Sequence, residues 1–286
     1  MKIAVIDIGS NSVRLMMWAD GKTLYKRVCT TRLGAGIAER PVLREDAIVR
    51  TAEAVAAFAR TAEEEGAEQT AAFATAAVRS AENGGVFCKR VKELCGLIVD
   101  VVPGEEEAQL GLAGVLGNGD GGMIDVGGAS TEYCCRKGRK TLVSLSMNVG
   151  AVRLFDACGD DKDKLTQKIS LALSALDGVK AQGKTYAVGG TATTLACVAL
   201  GLEEYDASRV QDLRITAEEM DGMARRLLAM TAEERKAVKG MDVRRADIIG
   251  GGALLLSETM KKLSVGEIYV SDRDNLEGYL VRRMGR

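Results

Sequence analysis

Residues 3–6, 13–18 and 23–28 are short apolar stretches of strand length, and Asp20-Gly21 supplies a hairpin turn between the last two. From 44 to 65 the period lengthens. Ile48, Ala52, Val55 and Ala59 recur at spacings of three and four, which places them on one helical face. A strand at 71–75, a helix near 86–95 and a strand at 97–102 follow, and Pro103-Gly104 then opens a helix running to 116. The run G-N-G-D-G-G at 117–122 marks a domain boundary. Beyond it the programme restarts: a strand at 123–126, two more at 131–135 and 141–146 around a basic turn, and a helix at 151–158. Thr216 with Glu219 and Thr231 with Glu234 are capping boxes that start later helices.

The restart reads as an internal repeat. Asp7-Ile8-Gly9-Ser10-Asn11-Ser12 aligns with Asp125-Val126-Gly127-Gly128-Ala129-Ser130, and each copy follows an apolar strand and begins a three-strand meander. Two α/β domains are therefore expected, 1–118 and 119–286, each presenting an Asp-Gly loop. A D-x-G turn by itself is usually only a hairpin. Two in register suggest more. Gly9, Gly127 and Gly128 let backbone N–H groups approach phosphate oxygens, and Ser10, Ser12, Ser130 and Thr131 add hydroxyl donors. Asp7 and Asp125 are hard oxygen ligands of the kind Mg2+ prefers.

Composition narrows the chemistry. Histidine is absent, which removes imidazole from every catalytic or metal scheme and leaves carboxylate, Lys, Cys or Tyr as the general base. The net charge of −1 gives no chain-wide field for duplex nucleic acid or an anionic membrane, so a polyanion needs a local site. Seven cysteines without a C-x-x-C pair read as buried thiols in a reducing cytoplasm. Asp7 interrupts the opening apolar run, which argues against a signal peptide. The longest uncharged stretch, 185–202, holds seven Gly or Thr in 18 residues and reads as strand, loop and helix instead of a membrane span.

Other motifs carry two readings each. Gly189-Gly190-Thr191 lies between a strand and a helix, either as a small-residue packing turn or as an anion site at a helix N-terminus. Residues 178–185 match G-x4-G-K-[ST], but a helical pattern precedes them and a strand follows, the reverse of a P-loop. Glu105, Glu106 and Glu107 complement a helix dipole, and the same position could hold an ionised carboxylate to activate water. Arg79 is a surface residue or a phosphate clamp.

Taken in order, seven segments resemble the exopolyphosphatase and guanosine pentaphosphate phosphohydrolase (Ppx/GppA) family of the actin–Hsp70–sugar kinase superfamily. They are D-I-G-S-N-S-V-R-L (7–15), T-R-L-G-A-G-I (31–37), A-T-A-A-V-R-S-A-E-N (74–83), P-G-E-E-E-A-Q-L (103–110), M-I-D-V-G-G-A-S-T-E (123–132), V-G-G-T-A-T-T-L (188–195) and S-D-R-D-N-L-E-G (271–278). The resemblance implies an α/β fold of two ribonuclease-H-like, actin-like ATPase domains flanking a cleft, with a C-terminal helix at about 275–286 packed back on the first domain. It implies release of terminal phosphate from inorganic polyphosphate or guanosine pentaphosphate with Mg2+ or Mn2+, in the cytoplasm, in a chain able to form a homodimer. By position it assigns Glu107 as the carboxylate that activates water, with Glu106 as fallback, and Asp7, Asp125 and Glu132 as metal ligands. Ser10, Asn11, Gly127, Gly128, Ser130, Gly190 and Thr191 match phosphate-loop positions, and Arg79 the phosphate-contacting arginine.

Two departures stand out. Ala129 replaces a third glycine of the family's loop, and residues 271–278 lose a Gly and an Arg, which puts the backbone at the first and the contacts at the second in question. The chain also stops where long members add a helical HD-type domain, and without histidine it has no such site. Rival expectations are an ATP-dependent phosphotransferase of the same superfamily and a catalytically weak guanosine-polyphosphate-binding regulator.

Overall fold

The computed structural model describes residues 1–284. The opening meander is β1 (Lys2–Ile8), β2 (Ser12–Ala19) and β3 (Lys22–Thr30). Then come α1 (Glu45–Glu64), β4 (Gln69–Ala74), α2 (Ala76–Ser80), α3 (Gly84–Cys95), β5 (Val99–Val101) and α4 (Gly104–Leu116). The second half repeats the plan with β6 (Gly121–Val126), β7 (Thr131–Lys137), β8 (Lys140–Met147), α5 (Ala151–Cys158), α6 (Lys162–Leu173), β9 (Thr185–Val188) and α7 (Gly189–Leu200). It continues through α8 (Ala207–Val210), β10 (Arg214–Thr216), α9 (Ala217–Leu228), α10 (Ala232–Lys236), α11 (Ile249–Lys262) and β11 (Glu267–Val270) to α12 (Asn275–Arg283).

The two sheets have orders β3-β2-β1-β4-β5 and β10-β11-β9-β6-β7-β8. In each, the meander is antiparallel and the strand that follows it pairs parallel to the meander's first strand, β4 on β1 and β9 on β6. This is the expected α/β duplication. Both capping boxes are present at α9 and α10, each Thr hydroxyl accepting from the N3 backbone while the N3 Glu answers the cap. The segment before β9 leads out of α6 and into a strand, so the Walker-like letters at 178–185 form no P-loop. All seven cysteines are free, but only Cys134, Cys135 and Cys197 are buried; the other four lie partly at the surface.

Helix α4 is wedged between the sheets. Leu110 joins the first sheet and α12 in one apolar cluster with Phe73, Leu276 and Tyr279, while Ala108 and Leu112 pack on Met123, Cys134 and Val188 of the second half. Helix α12 lies against α4 and β1, stacking Tyr279 on Phe73 with ring centroids 4.4 Å apart. The last two positions of the expected C-terminal helix lie outside the described residues. The α4–α12 crossing depends on missing side chains: a Cβ on Gly278 would collide with the Leu110 carbonyl oxygen, and one on Gly114 with that of Asp274. Backbone atoms cannot turn aside as a side chain can. Gly278→Ala is therefore expected to destabilise the protein by about 2 kcal/mol or more, read as a lower midpoint in urea unfolding.

Candidate active site

The two Asp-Gly loops have the same internal bond: Gly9 N–H donates to the Ser12 carbonyl at 3.0 Å, and Gly127 N–H to the Ser130 carbonyl at 3.0 Å. They meet face to face. A Cβ on Gly128 would stand 2.9 Å from Ser10 Cβ, so glycine is what allows the approach. Cross-strand register then sets the chemistry behind each loop. Asp7 lies opposite Arg14 in β1–β2, and Asp125 lies opposite Glu132 in β6–β7. The same place in the repeat thus carries a cation in one domain and a carboxylate in the other.

Ala129 is accommodated without strain. Its φ is not positive, and its methyl is buried in the apolar cluster of the first half. The family-type glycine is replaced here by a contact that joins the domains.

Both loops line one cleft of about 650 Å³. Asp7 and Asp125 are each buried and both face it. Asp7 Oδ2 accepts from Arg14 Nε at 3.0 Å, whereas Oδ1 is buried with no hydrogen-bond partner. Arg14 also pairs with Asp274, which caps α12 through the Leu276 N–H at 3.0 Å. Burial pushes the Asp7 carboxyl up despite Arg14. It pushes Asp125 well above the usual carboxylate range, with Asp274 adding to the effect. Burial also acts on Asp274, but Arg14 and Lys26 hold that carboxyl low. Two buried carboxylates on one cleft with a single arginine beside them are a setting in which a divalent cation is favoured.

Glu107 enters from the first turn of α4, 5% exposed. Arg79 Nη1 donates to Glu107 Oε2 at 2.7 Å and to the Val102 carbonyl at 2.8 Å. Burial lifts the Glu107 carboxyl to about 7, against the opposing pull of Arg79 and a hydrogen bond from Thr75. A base at that value is matched to neutral water activation. With Glu107 as the general base, kcat/KM is expected to rise with pH through about 7. Arg79→Met removes the charge that favours the ionised form, so the acid limb of the kcat/KM profile should move to higher pH.

The remaining expected residues divide. Ser10, Asn11, Ser12 and Ser130 line the cleft, as do Gly127, Gly128, Gly189 and Gly190. Asn11 has both amide heteroatoms buried and unpartnered, so its hydrogen-bonding capacity is free for a ligand. Thr131 and Thr191 do not line the cleft: their hydroxyls are buried and donate to the carbonyls of Val149 at 2.7 Å and Val126 at 2.8 Å. Arg79 stands behind Glu107 instead of on the cleft wall, so it orients the carboxylate. Glu106 turns outward and pairs with Arg282, so Glu107 and not Glu106 lines the cleft. Glu132 is also off the wall; its carboxylate accepts from Ser146 Oγ at 2.6 Å and is pushed well above its ordinary range by burial and by Glu107 and Asp125.

Three groups were not anticipated. Lys26 reaches across to Asp272 at 3.2 Å and Glu277 at 2.8 Å. Asp274 stands where the family pattern has a glycine. Arg245 lines the cleft with its guanidinium against Gly190, where any Cβ would overlap it. It has no carboxylate or carbonyl partner among the described residues, and burial, together with nearby Arg14 and Arg244, depresses it to about 10. A part-buried guanidinium with unmet donors, near Asp242 and Asp125 but bonded to neither, can receive a further anion.

Among the described residues no three or more His, Cys, Asp or Glu side chains form a metal cage. A Mg2+ fits nonetheless, since that ion is held by one or two carboxylates with water and substrate phosphate. The orphaned Asp7 Oδ1 and the unbonded Asp125 carboxylate suit it; Glu132, turned to Ser146, does not reach the cleft.

The chain's relatives identify its family. The sequence profile of the Ppx/GppA phosphatase family matches residues 11–286. Exopolyphosphatase 2 of Mycobacterium tuberculosis is 30% identical, with 99% of each chain covered. A guanosine-5'-triphosphate,3'-diphosphate pyrophosphatase of Photobacterium profundum is 28% identical over 99% of this chain, which spans 59% of that protein. The crystal structure of the Aquifex aeolicus Ppx/GppA family member superposes with a TM-score of 0.81 at 30% identity, covering 99% of this chain and 97% of that one. With its duplicated actin-like fold and its paired Asp-Gly loops, the chain belongs to the Ppx/GppA phosphatase family.

Proposed function

We propose that this phosphatase hydrolyses a terminal phosphoanhydride in the presence of Mg2+ or Mn2+, releasing orthophosphate from guanosine pentaphosphate or a short inorganic polyphosphate. The observation that carries the reading is Glu107, buried on the wall of the same cleft as the two Asp-Gly loops with its carboxyl lifted to about 7. Its carboxylate orients and deprotonates the attacking water. The backbone N–H of Gly128, the Asn11 amide and Arg245 take up charge on the transferring phosphoryl group, which needs chiefly position and neutralisation. Asp7 and Asp125 would hold the metal, which supplies further neutralisation of phosphate charge when bound.

Another set of cleft-lining residues bears on substrate choice. Leu202, Met241 and Val243 line the cleft with Tyr205, Glu203 and Glu204. A polyanion against these residues meets the carboxylates of Glu203 and Glu204, whereas a nucleoside finds apolar surface and acceptors for its ring N–H groups. This favours a short phosphate chain capped by a nucleoside.

The test is phosphate release from guanosine pentaphosphate, tripolyphosphate and long-chain polyphosphate, each with Mg2+ and with EDTA. Metal-dependent release is expected, with kcat/KM highest for guanosine pentaphosphate. Binding of guanosine tetraphosphate with no turnover of any substrate would overturn hydrolysis, and a preference for long chains would overturn the substrate assignment.

A further inference from the structure

Arg235, in α10, is fully buried, 0% exposed, and does not line the cleft. A buried guanidinium is costly unless its donors are met. Here they are. Nε donates to the Leu227 carbonyl at 2.7 Å, Nη2 to Asp160 Oδ1 at 2.8 Å, and Nη1 to the carbonyls of Ala246 at 3.2 Å and Asp247 at 3.4 Å. A Leu or Met could fill the volume, so the destination of those bonds is what needs explaining. Two of them end on the peptide units that directly follow Arg245.

The segment carrying Arg245 has little structure of its own. It is one 3-10 turn, Val243–Arg245, capped by Asp242, with neither a strand ladder nor an α-helix to fix its height. It is gripped from two sides. Arg32 of the first half reaches it through Asp247 Oδ2 at 2.6 Å and the Arg244 carbonyl at 3.1 Å, and Arg235 holds it from within the second half. The start of α11 makes room for this: a Cβ on Gly250 would stand 2.9 Å from Arg235 Nη2.

We infer that Arg235 is a positioning residue for phosphate binding, setting the height of the Arg245 guanidinium over the Gly189-Gly190 loop. This rests on the proposed reading that Arg245 takes up phosphate charge. Arg235→Lys keeps the buried charge but loses the fork that spans Leu227, Asp160 and the 246–247 carbonyls. Arg245 then sits loosely, and the affinity for phosphate falls while Glu107 is untouched.

The test is a double-mutant cycle on Arg235→Lys and Arg245→Ala, read in kcat, KM, thermal midpoint and the Kd for orthophosphate by calorimetry. Arg235→Lys is expected to raise KM and the orthophosphate Kd roughly tenfold, a fraction of the up to ~10²-fold that a misplaced contact costs. Its kcat should stay near wild type, and in the Arg245→Ala background the substitution should add nothing to either. Equal effects in both backgrounds, or a lower midpoint with KM and Kd unmoved, would show a purely structural residue. If Arg235→Lys does not fold, Asp160→Ala removes one anchor of the same fork and is carried through the same cycle. Orthophosphate binding needs no turnover, so an inactive wild type would defeat the hydrolytic reading while leaving the coupling of Arg235 to Arg245 measurable.

Discussion

Glu107→Gln is expected to lower kcat for phosphate release by about 10²–10⁴-fold, the range general-base catalysis contributes, with KM close to wild type. Glutamine has the same shape, and its Oε1 can still accept from Arg79 Nη1, now 2.7 Å from the carboxylate. What it cannot do is take a proton from water. The substitution also replaces a buried ionisable group by a neutral one, so the protein should fold at least as well, and a loss of activity would not reflect unfolding. Glu106→Gln is the control. That neighbour points outward to Arg282 and should leave kcat unchanged. Single-turnover measurements with a radiolabelled terminal phosphate separate the chemical step from product release; full activity of Glu107→Gln would remove Glu107 from the chemistry.

Sequence reading reached the two loops because their letters repeat, and the repeat fixes local geometry: the same Gly-to-Ser bond closes both turns. It reached the acidic first turn of α4 because glutamates after Pro103-Gly104 fall there, while the choice of Glu107 over Glu105 and Glu106 came from the family resemblance. It could not see what comes together only across distance. Arg14 stands opposite Asp7 by strand register, which was available from the meander, but its second partner, Asp274, is 260 residues away. Arg245 sits on a short turn with no periodic signal, and its role depends on Gly190 having no side chain. Helix α11 was also hidden. Gly250-Gly251-Gly252 weighs against a helix by propensity, yet those glycines let it pack closely on Arg235 and on Thr191, whose Cγ2 would lie 3.0 Å from a Cβ at Gly252. Thr131 and Thr191 look like phosphate donors in one dimension, and only the fold shows their hydroxyls already committed to backbone carbonyls.

Asp125→Asn should lose phosphate release by roughly 10²–10³-fold, the scale of removing one preorganised charge-stabilising group, and at the same time make the metal-free protein more stable. Asp125 is buried, and its carboxyl is pushed well above the usual range by burial first and by Asp274 next. In the unfolded chain it ionises near its ordinary value. Between the two values the folded state binds the extra proton, so the stability tied to this group is full below the unfolded pKa and is lost as pH rises through the folded one. Asparagine has no proton to lose. The thermal midpoint of Asp125→Asn should therefore exceed that of wild type at pH 8 in EDTA, and the gap should close as the pH approaches the unfolded value. Mg2+ should raise the wild-type midpoint, since saturation to 100 Kd adds about 2.7 kcal/mol, and should raise the mutant's much less. Gly189, whose φ of 78° suits glycine and whose Cβ would strike Asp125 Oδ1, shows how closely the loop is built around this carboxylate. A mutant as active as wild type, or one less stable than wild type in EDTA at pH 8, would mean that Asp125 is a structural acid satisfied in some other way.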